Sequence, residues 1–282
     1  MMEAKYKLLI AVGILVAIAT GILVYIYILF SRHEFKVTFF DIGQGDAALI
    51  EFETGEQMLV DCGKDKKILS KLGKALPFYD REIDYLLITH YDSDHYGGCT
   101  DVLRRYKIKK VVDNGLKKKG DPYFIDFDHY LQNEKAGYIP GKAGLTWQIG
   151  QESIQFFSPS EEYGLDPSDH NEHSLVFKLT KGDKDWLFMG DAGIPLEKKI
   201  MEKYCGEGAI CPLRDVEVLK AGHHGSDTSS SEEFLELIQP KETVISVGKN
   251  SFGHPSLRIL RKLERVGSKV LRTDLDRDII YR

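Results

Sequence analysis

Two histidines and two aspartates fall within six residues at His90, Asp92, Asp94 and His95. They stand directly behind a mostly apolar run, residues 83–88, that has strand character, and just ahead of Gly97 and Gly98. A strand that ends in a tight turn bearing four donors fixes those donors relative to one another. Imidazole nitrogen and carboxylate oxygen suit zinc, manganese or iron, and the thiolates that a closed structural zinc site prefers are missing from this stretch. Donors at alternate loop positions converge on one centre while the residues between them point away. His90 and Asp92 form such a pair, and Asp94 and His95 turn towards a second centre. A surface turn of solvated charges would account for one such residue, not for four in this order behind an apolar strand. An open, hydrolytic metal site is therefore the expectation.

The 282 residues suffice for one large domain with a substantial core, and a net charge of −5 excludes a strongly basic chain. The stretch from Leu8 to Phe30 carries no charge. It exceeds the roughly 20 apolar residues needed to cross a bilayer. Cleavage after Ala17-Ile18-Ala19 would leave an apolar tail on the mature protein, so residues 1–34 are expected to be an uncleaved membrane anchor and residues 35–282 the catalytic domain. Lys5 and Lys7 on one side nearly balance Arg32 on the other, which specifies orientation only weakly. The four cysteines show no Cys-x-x-Cys spacing; Cys205 and Cys211 bracket a short glycine-bearing loop that a disulfide could close, or they stay as thiols.

Along the chain, strands are expected at 35–40, 47–52 and 58–60, and a helix over 64–76 that stops at Pro77. A helix over 101–106, a strand over 109–112, a helix over 124–133 and paired strands at 146–149 and 154–157 follow. The strands 174–179, 186–191, 216–220 and 243–247 alternate with helices over 194–204, 231–238 and 257–266, and strands 270–272 and 279–281 are expected to close the sheet. Asp41, Asp46 and Asp61 lie at strand ends, with Gln44 in the glycine-bearing turn between the first two, and are read as supporting the ligands from behind. Lys107, Lys109, Lys110 and residues 117–119 form a basic cluster that either tracks a phosphate backbone or is a solvated face. Ser226 and Thr228 offer hydroxyls to phosphate oxygens. Ser256 can cap the helix after it, and that helix start beside Lys249 and His254 suits an anion.

At these residues the chain resembles a known family. His90-x-Asp92-x-Asp94-His95 with Gly97-Gly98 looks like the metal-binding motif of the metallo-β-lactamase fold, with Asp92 where most members have histidine. That departure, the phrase Phe40-Asp41-Ile42-Gly43-Gln44-Gly45-Asp46, the segment Gly222-His223-His224-Gly225-Ser226 and the segment Asn250-Ser251-Phe252-Gly253-His254-Pro255-Ser256 are similar to the hydrolase domain of ComEC-type competence proteins. The resemblance implies an α/β fold, a four-layer α/β/β/α sandwich, here preceded by one transmembrane helix. It implies two divalent ions, zinc or manganese. The first would be held by His90, Asp92 and Asp191, with His170 or else His173 as a further ligand; the second by Asp94, His95, Asp191 and His223, with Asp191 bridging. His224 would face the substrate, although the two neighbours could exchange roles. Asp94, His224 and His254 would then carry the chemistry, and Lys249, Asn250, Ser226 and Thr228 the substrate phosphate.

These features predict a phosphodiester hydrolase, anchored in the cell membrane by a single span with its hydrolase domain outside the cytoplasm, and acting on DNA. Only the resemblance supplies the DNA. The competence family joins this domain to a multi-span channel and an oligonucleotide-binding module, whereas this chain has one span, so a free-standing hydrolase domain is expected. The alternatives are a phosphodiesterase on cell-wall or lipid phosphoesters of the teichoic-acid type, and a non-catalytic binding protein that kept the fold. No protein partner is predicted.

Overall fold

The computed structural model describes residues 2–30, 33–118, 120–164, 168–206 and 210–282. The chain opens with helix α1, Met2–Phe30, of which Glu3–Tyr25 is long and apolar enough to cross a membrane. Strands β1 (Lys36–Phe39), β2 (Ala48–Glu51), β3 (Gln57–Val60), β4 (Glu82–Leu87), β5 (Lys107–Asp113) and β6 (Gly137–Pro140) then build one sheet. Strands β7 (Thr146–Ile149), β8 (Glu152–Ser158), β9 (Val176–Lys181), β10 (Lys184–Phe188), β11 (Val218–Lys220), β12 (Glu242–Ile245) and β13 (Lys269–Arg272) build a second. The last strand, β14 (Ile279–Tyr281), crosses back and pairs antiparallel with β1, which gives seven strands in each sheet.

Each sheet is antiparallel in one half and parallel in the other, the parallel runs being β3 to β6 and β10 to β13. Parallel neighbours need a crossover, and helices supply most of them. Helices α2 (Lys67–Ala75), α3 (Ser93–Tyr96), α4 (Cys99–Arg105) and α5 (Pro122–Glu134) serve the first sheet. Helices α6 (Ile194–Tyr204), α7 (Glu232–Ile238) and α8 (Leu257–Arg265) serve the second, and the short α9 (Thr273–Asp276) precedes β14.

Three apolar clusters fill the spaces between layers. The central one joins Phe39 and Val60 of the first sheet to Phe156, Phe177, Trp186 and Phe188 of the second. A second lies between the first sheet and α2, α4 and α5, and a third between the second sheet and α6, α7 and α8. Two sheets face to face with helices on both outer faces make the four-layer sandwich that the sequence leads one to expect. The parallel strands β3, β4, β10, β11 and β12 all deliver their carboxyl ends to the same rim, where crossover loops rather than strand pairing set the side-chain positions.

Several boundaries move. The helix expected over 64–76 begins only at Lys67, and the one expected from residue 101 starts at Cys99. Strand β6 is an addition: four residues bounded by Gly137 and Pro140 have too little pattern to read, and pairing with β5 forms them. Residues 270–272 and 279–281 do not close one sheet; β13 ends the second sheet and β14 the first. The lysine cluster is largely neutralised. Lys107 and Lys109 meet Glu82, Lys109 also meets Asp84, and Lys117 meets Asp128, while Lys119 lies outside the described residues.

Both cysteine pairs are disulfides, Cys205–Cys211 and Cys62–Cys99. The second, which the sequence did not suggest, closes a loop of 37 residues that contains the whole His90–His95 turn. By the chain-entropy model a loop of that size is worth about 4 kcal/mol. The double variant Cys62→Ser/Cys99→Ser is therefore expected to lose about 4 kcal/mol in denaturant unfolding, and Cys205→Ser/Cys211→Ser, closing a loop of 6, about 2 kcal/mol. Equal losses in the two variants would contradict the loop-length account.

Candidate metal centre

Strand β4 ends at Leu87, and the next eight residues turn inward with His90 and His95 fully buried. What fixes this turn is Asp61, just past β3 and itself fully buried. Its carboxylate accepts from the Thr89 N–H at 2.8 Å, from the Thr89 hydroxyl at 2.7 Å and from His95 Nδ1–H at 2.8 Å. A histidine that donates through Nδ1 presents the Nε2 lone pair on its far side. His224 is set in the same way: Nδ1 donates to the Ser246 carbonyl at 2.9 Å and lies 3.3 Å from Asp46 Oδ1.

The far sides meet. His95 Nε2 is 3.1 Å from Asp191 Oδ1, and His224 Nε2 is 3.2 Å from Asp94 Oδ2 and 3.7 Å from Asp191 Oδ2. His90 Nε2 stands 3.9 Å from Asp191 Oδ2 and 3.8 Å from Asp92 Oδ2. The Nε2 atoms of all three histidines and Asp191 Oδ1 are buried without a hydrogen-bond partner. Four orphaned donors aimed at one space are costly unless something accepts their lone pairs, and a divalent cation does so. One ligand atom each from Asp46, His95, Asp191 and His224 lies within 4.8 Å of the others. Asp46, however, faces the Nδ1 side of His224, and its other oxygen is held by the buried Lys220 ammonium at 2.5 Å. Its place is behind the imidazole, as Asp61's is behind His95.

The carboxylates give the cluster a strongly anionic field, which draws a proton or a metal cation to the Nε2 atoms. Burial opposes charge on His95 and His224, but Asp191 and the flanking carboxylates outweigh it, raising His95 well above its ordinary value and His224 to about 10. Burial and then the neighbouring His95 push His90 down to about 4. On Asp191, burial favours the neutral acid, yet His95, His224 and His90 hold it well below the usual carboxylate range. Asp46 falls to about 2, because Lys220 and His224 outweigh its burial.

Other expected residues fall differently. His223, expected as the ligand beside a substrate-facing His224, is the more exposed of the two; its Nε2 is 3.9 Å from Asp191 and its ring lies 5.7 Å from that of His254. Both histidines have positive φ, 46° and 53°, so the chain turns sharply enough to seat one ring inside and one at the mouth. Of the two exchangeable roles, the buried place beside Asp191 falls to His224, whose Nε2 has no hydrogen-bond partner. Asp92 does face His90, but Lys118 grips its other oxygen at 2.8 Å. His170 Nδ1 is also buried without a hydrogen-bond partner, but among the described residues it forms no ion pair or ring contact with the cluster, and the His173 carbonyl accepts from the Asn114 amide. Asp41 stands apart from it as well: its carboxylate accepts from its own turn at Gly43 and faces Lys67. Gln44 accepts from the Gly248 N–H at 3.4 Å.

Among the expected phosphate groups, Lys249 is exposed, and the Ser226 and Thr228 hydroxyls lie 3.0 Å apart beside His223. Asn250 is spent on its own loop. Its Oδ1 accepts from Phe252, Gly253 and His254, and its amide donates to the Gly248 and His254 carbonyls, which leaves nothing for a substrate. Two glycines make the crowding at the rim feasible. A Cβ on Gly45, at φ 127°, would sit 2.2 Å from the Asp94 carbonyl, and one on Gly248 would sit 2.3 Å from the backbone of Gly43. Sequence reasoning missed Lys220 and Thr89. The signal for Lys220 was there: a lysine ending a valine- and leucine-rich strand three residues before the paired histidines.

A family model described as the metallo-beta-lactamase superfamily matches residues 40–249. The chain belongs to the metallo-beta-lactamase superfamily. Its relatives include ComE operon protein 3 of Bacillus subtilis, 31% identical over 269 residues that make up 88% of this chain and 33% of that protein. Competence protein ComA of Neisseria gonorrhoeae is 30% identical over 86% of this chain and 32% of its own length. The chain thus spans about a third of the length of these two relatives. Among solved structures, YhfI from Bacillus subtilis superposes over 88% of this chain and all of its own with a TM-score of 0.57 at 14% identity, a likeness of fold.

The carboxylate behind His95 makes a separate expectation. Asp61→Ala leaves the His95 tautomer and the Thr89 backbone unheld, and outer partners of metal-bound histidines are worth roughly 10- to 100-fold in affinity. Competition with a chromogenic chelator is expected to show a drop of that size; unchanged affinity would mean that Asp61 only supports the fold.

Proposed function

We propose that the protein is a metal-dependent phosphodiester hydrolase, a nuclease that acts on DNA and is held to the membrane by α1 with its hydrolase domain outside the cytoplasm. What carries the reading is the convergence of the unpartnered Nε2 atoms of His90, His95 and His224 on Asp191. In this reading His90, Asp92 and Asp191 hold one divalent ion, and Asp94, His95, Asp191 and His224 the other. When bound, such ions supply Lewis acidity at the phosphoryl oxygens and an acidified water near neutral pH.

The chain's own groups do the rest. Asp61 and Asp46 hold His95 and His224 as Nε2 donors, and Lys118 steers one oxygen of Asp92 away from His90. His223 and His254 face each other at the mouth, where Ser226 and Thr228 add hydroxyls. Burial, and then the charges of His223 and His224, push His254 below its ordinary pKa. It is therefore neutral near pH 7 and offers a phosphate oxygen a ring N–H rather than a standing acid. The competence-protein relatives and the apolar α1 support the DNA and membrane parts of the reading.

The test uses the full chain in detergent with manganese or zinc. Substrates are single-stranded DNA, duplex DNA and bis-p-nitrophenyl phosphate. Metal-dependent DNA cleavage is the expected result. Turnover of the small ester alone would move the substrate to another class of phosphodiester, and no turnover with either ion would leave a binding protein.

A further inference from the structure

The loop after β12 holds out an aromatic ring. Phe252 is 71% exposed, yet the loop beneath it is tightly built: the Asn250 side chain makes five hydrogen bonds within residues 248–254. Gly248 at the loop's base packs directly on the backbone at residues 43 and 44. One face of the Phe252 ring is stacked on His254, at 5.7 Å between centroids and 20° between planes. His254 in turn lies against His223, whose Nε2 is 3.9 Å from Asp191. A chain of ring contacts thus leads from the orphaned donors to an exposed ring on a fixed loop. A ring already held by a stacking partner loses little freedom on binding.

We infer that Phe252 is the stacking platform for a nucleobase of single-stranded DNA whose phosphate lies at His254 and His223. This inference rests on the nuclease reading and adds the strand form and the base contact to it. Ring stacking suits a polymer of mixed sequence, because every base has a π-face and the contact reads none of its edges. It also requires an unpaired base, since bases stacked within a duplex cannot reach a side chain at the mouth of a cleft. The order along the loop suits a nucleotide, with the imidazole of His254 nearer the ligand cluster and the phenyl ring of Phe252 beyond it.

The test is binding and cleavage of a short single-stranded oligonucleotide carrying 2-aminopurine, with manganese, by the full chain in detergent. Losing a base–aromatic stack costs roughly tenfold in affinity. Phe252→Ala is expected to raise Kd and KM about tenfold with kcat little changed, and to abolish quenching of the 2-aminopurine. Phe252→Trp should restore both, whereas Phe252→Leu, which keeps apolar surface without a ring face, should not. Rescue by Leu, or a wild-type Kd in Phe252→Ala, would overturn the platform while the nuclease reading stands. A wild-type protein that hydrolyses bis-p-nitrophenyl phosphate but neither binds nor cleaves the oligonucleotide would overturn both.

Discussion

Asp191→Ala is expected to remove both bound ions and at least about a thousandfold of the hydrolytic rate, since metal assistance is worth several kcal/mol and each 1.36 kcal/mol is tenfold. The reason is geometric. Oδ1 of this carboxylate lies 3.1 Å from His95 Nε2, and Oδ2 lies 3.7 Å from His224 Nε2 and 3.9 Å from His90 Nε2. Every imidazole in the cluster is therefore referred to one side chain. That side chain follows the Trp186–Phe188 segment of β10, buried in the middle of its sheet, so its position tolerates little drift. Without it, His95 and His224 lose the largest of the charges that raise their pKa values. The measurements are metal content by elemental analysis and turnover of bis-p-nitrophenyl phosphate. A thermal melt separates loss of metal from loss of fold. A ligand held at a hundred times its Kd stabilises by about 2.7 kcal/mol, so the wild type should melt higher with manganese than with chelator, and Asp191→Ala should not. Two ions per chain in the variant would remove Asp191 from the site.

The overall architecture was legible because it rests on long apolar periods. The carboxyl-terminal halves of β4 and β10 are buried on both faces, and β9 buries Val176, Phe177 and Leu179. The aspartate–histidine turn was legible because its donors are adjacent in sequence. What could not be read are relations between distant segments. Asp61 and Asp41 look alike as aspartates near strand ends, yet one is fully buried beneath Thr89 and His95 and the other faces Lys67. Nothing local separates them, because the difference is whether the following chain passes over the carboxylate. Asn250 is ambiguous for a related reason: an amide in a glycine-bearing loop can serve a ligand or the loop, and only the loop's closure shows that both ends are engaged within it. Lys118 belonged to a basic cluster in sequence, but in space it is the counter-ion of Asp92.

The paired histidines bring these points to a decision. His224→Ala is expected to cost one of the two ions and at least about a thousandfold in rate. His223→Ala is expected to keep both ions and lose only about 10- to 100-fold, the range typical of a group that acts from beside the site. In sequence the two are indistinguishable, since adjacent residues share every neighbour that a motif can name. In space they differ in what stands behind them. His224 has a carbonyl and a lysine-held carboxylate at Nδ1, which hold its ring and turn Nε2 towards Asp94 and Asp191. His223 has the Thr228 hydroxyl 3.4 Å from Nδ1 and the His254 ring beside it, and it is the more exposed of the two. A ring that must release and rebind phosphate with each turnover can remain loosely held. A metal-bound ring that did so would let its ion go, because affinity depends on the lone pair already pointing at the site. Loss of an ion from His223→Ala with full loading of His224→Ala would reverse this order and would mean that the buried ring, for all its supports, is only part of the wall.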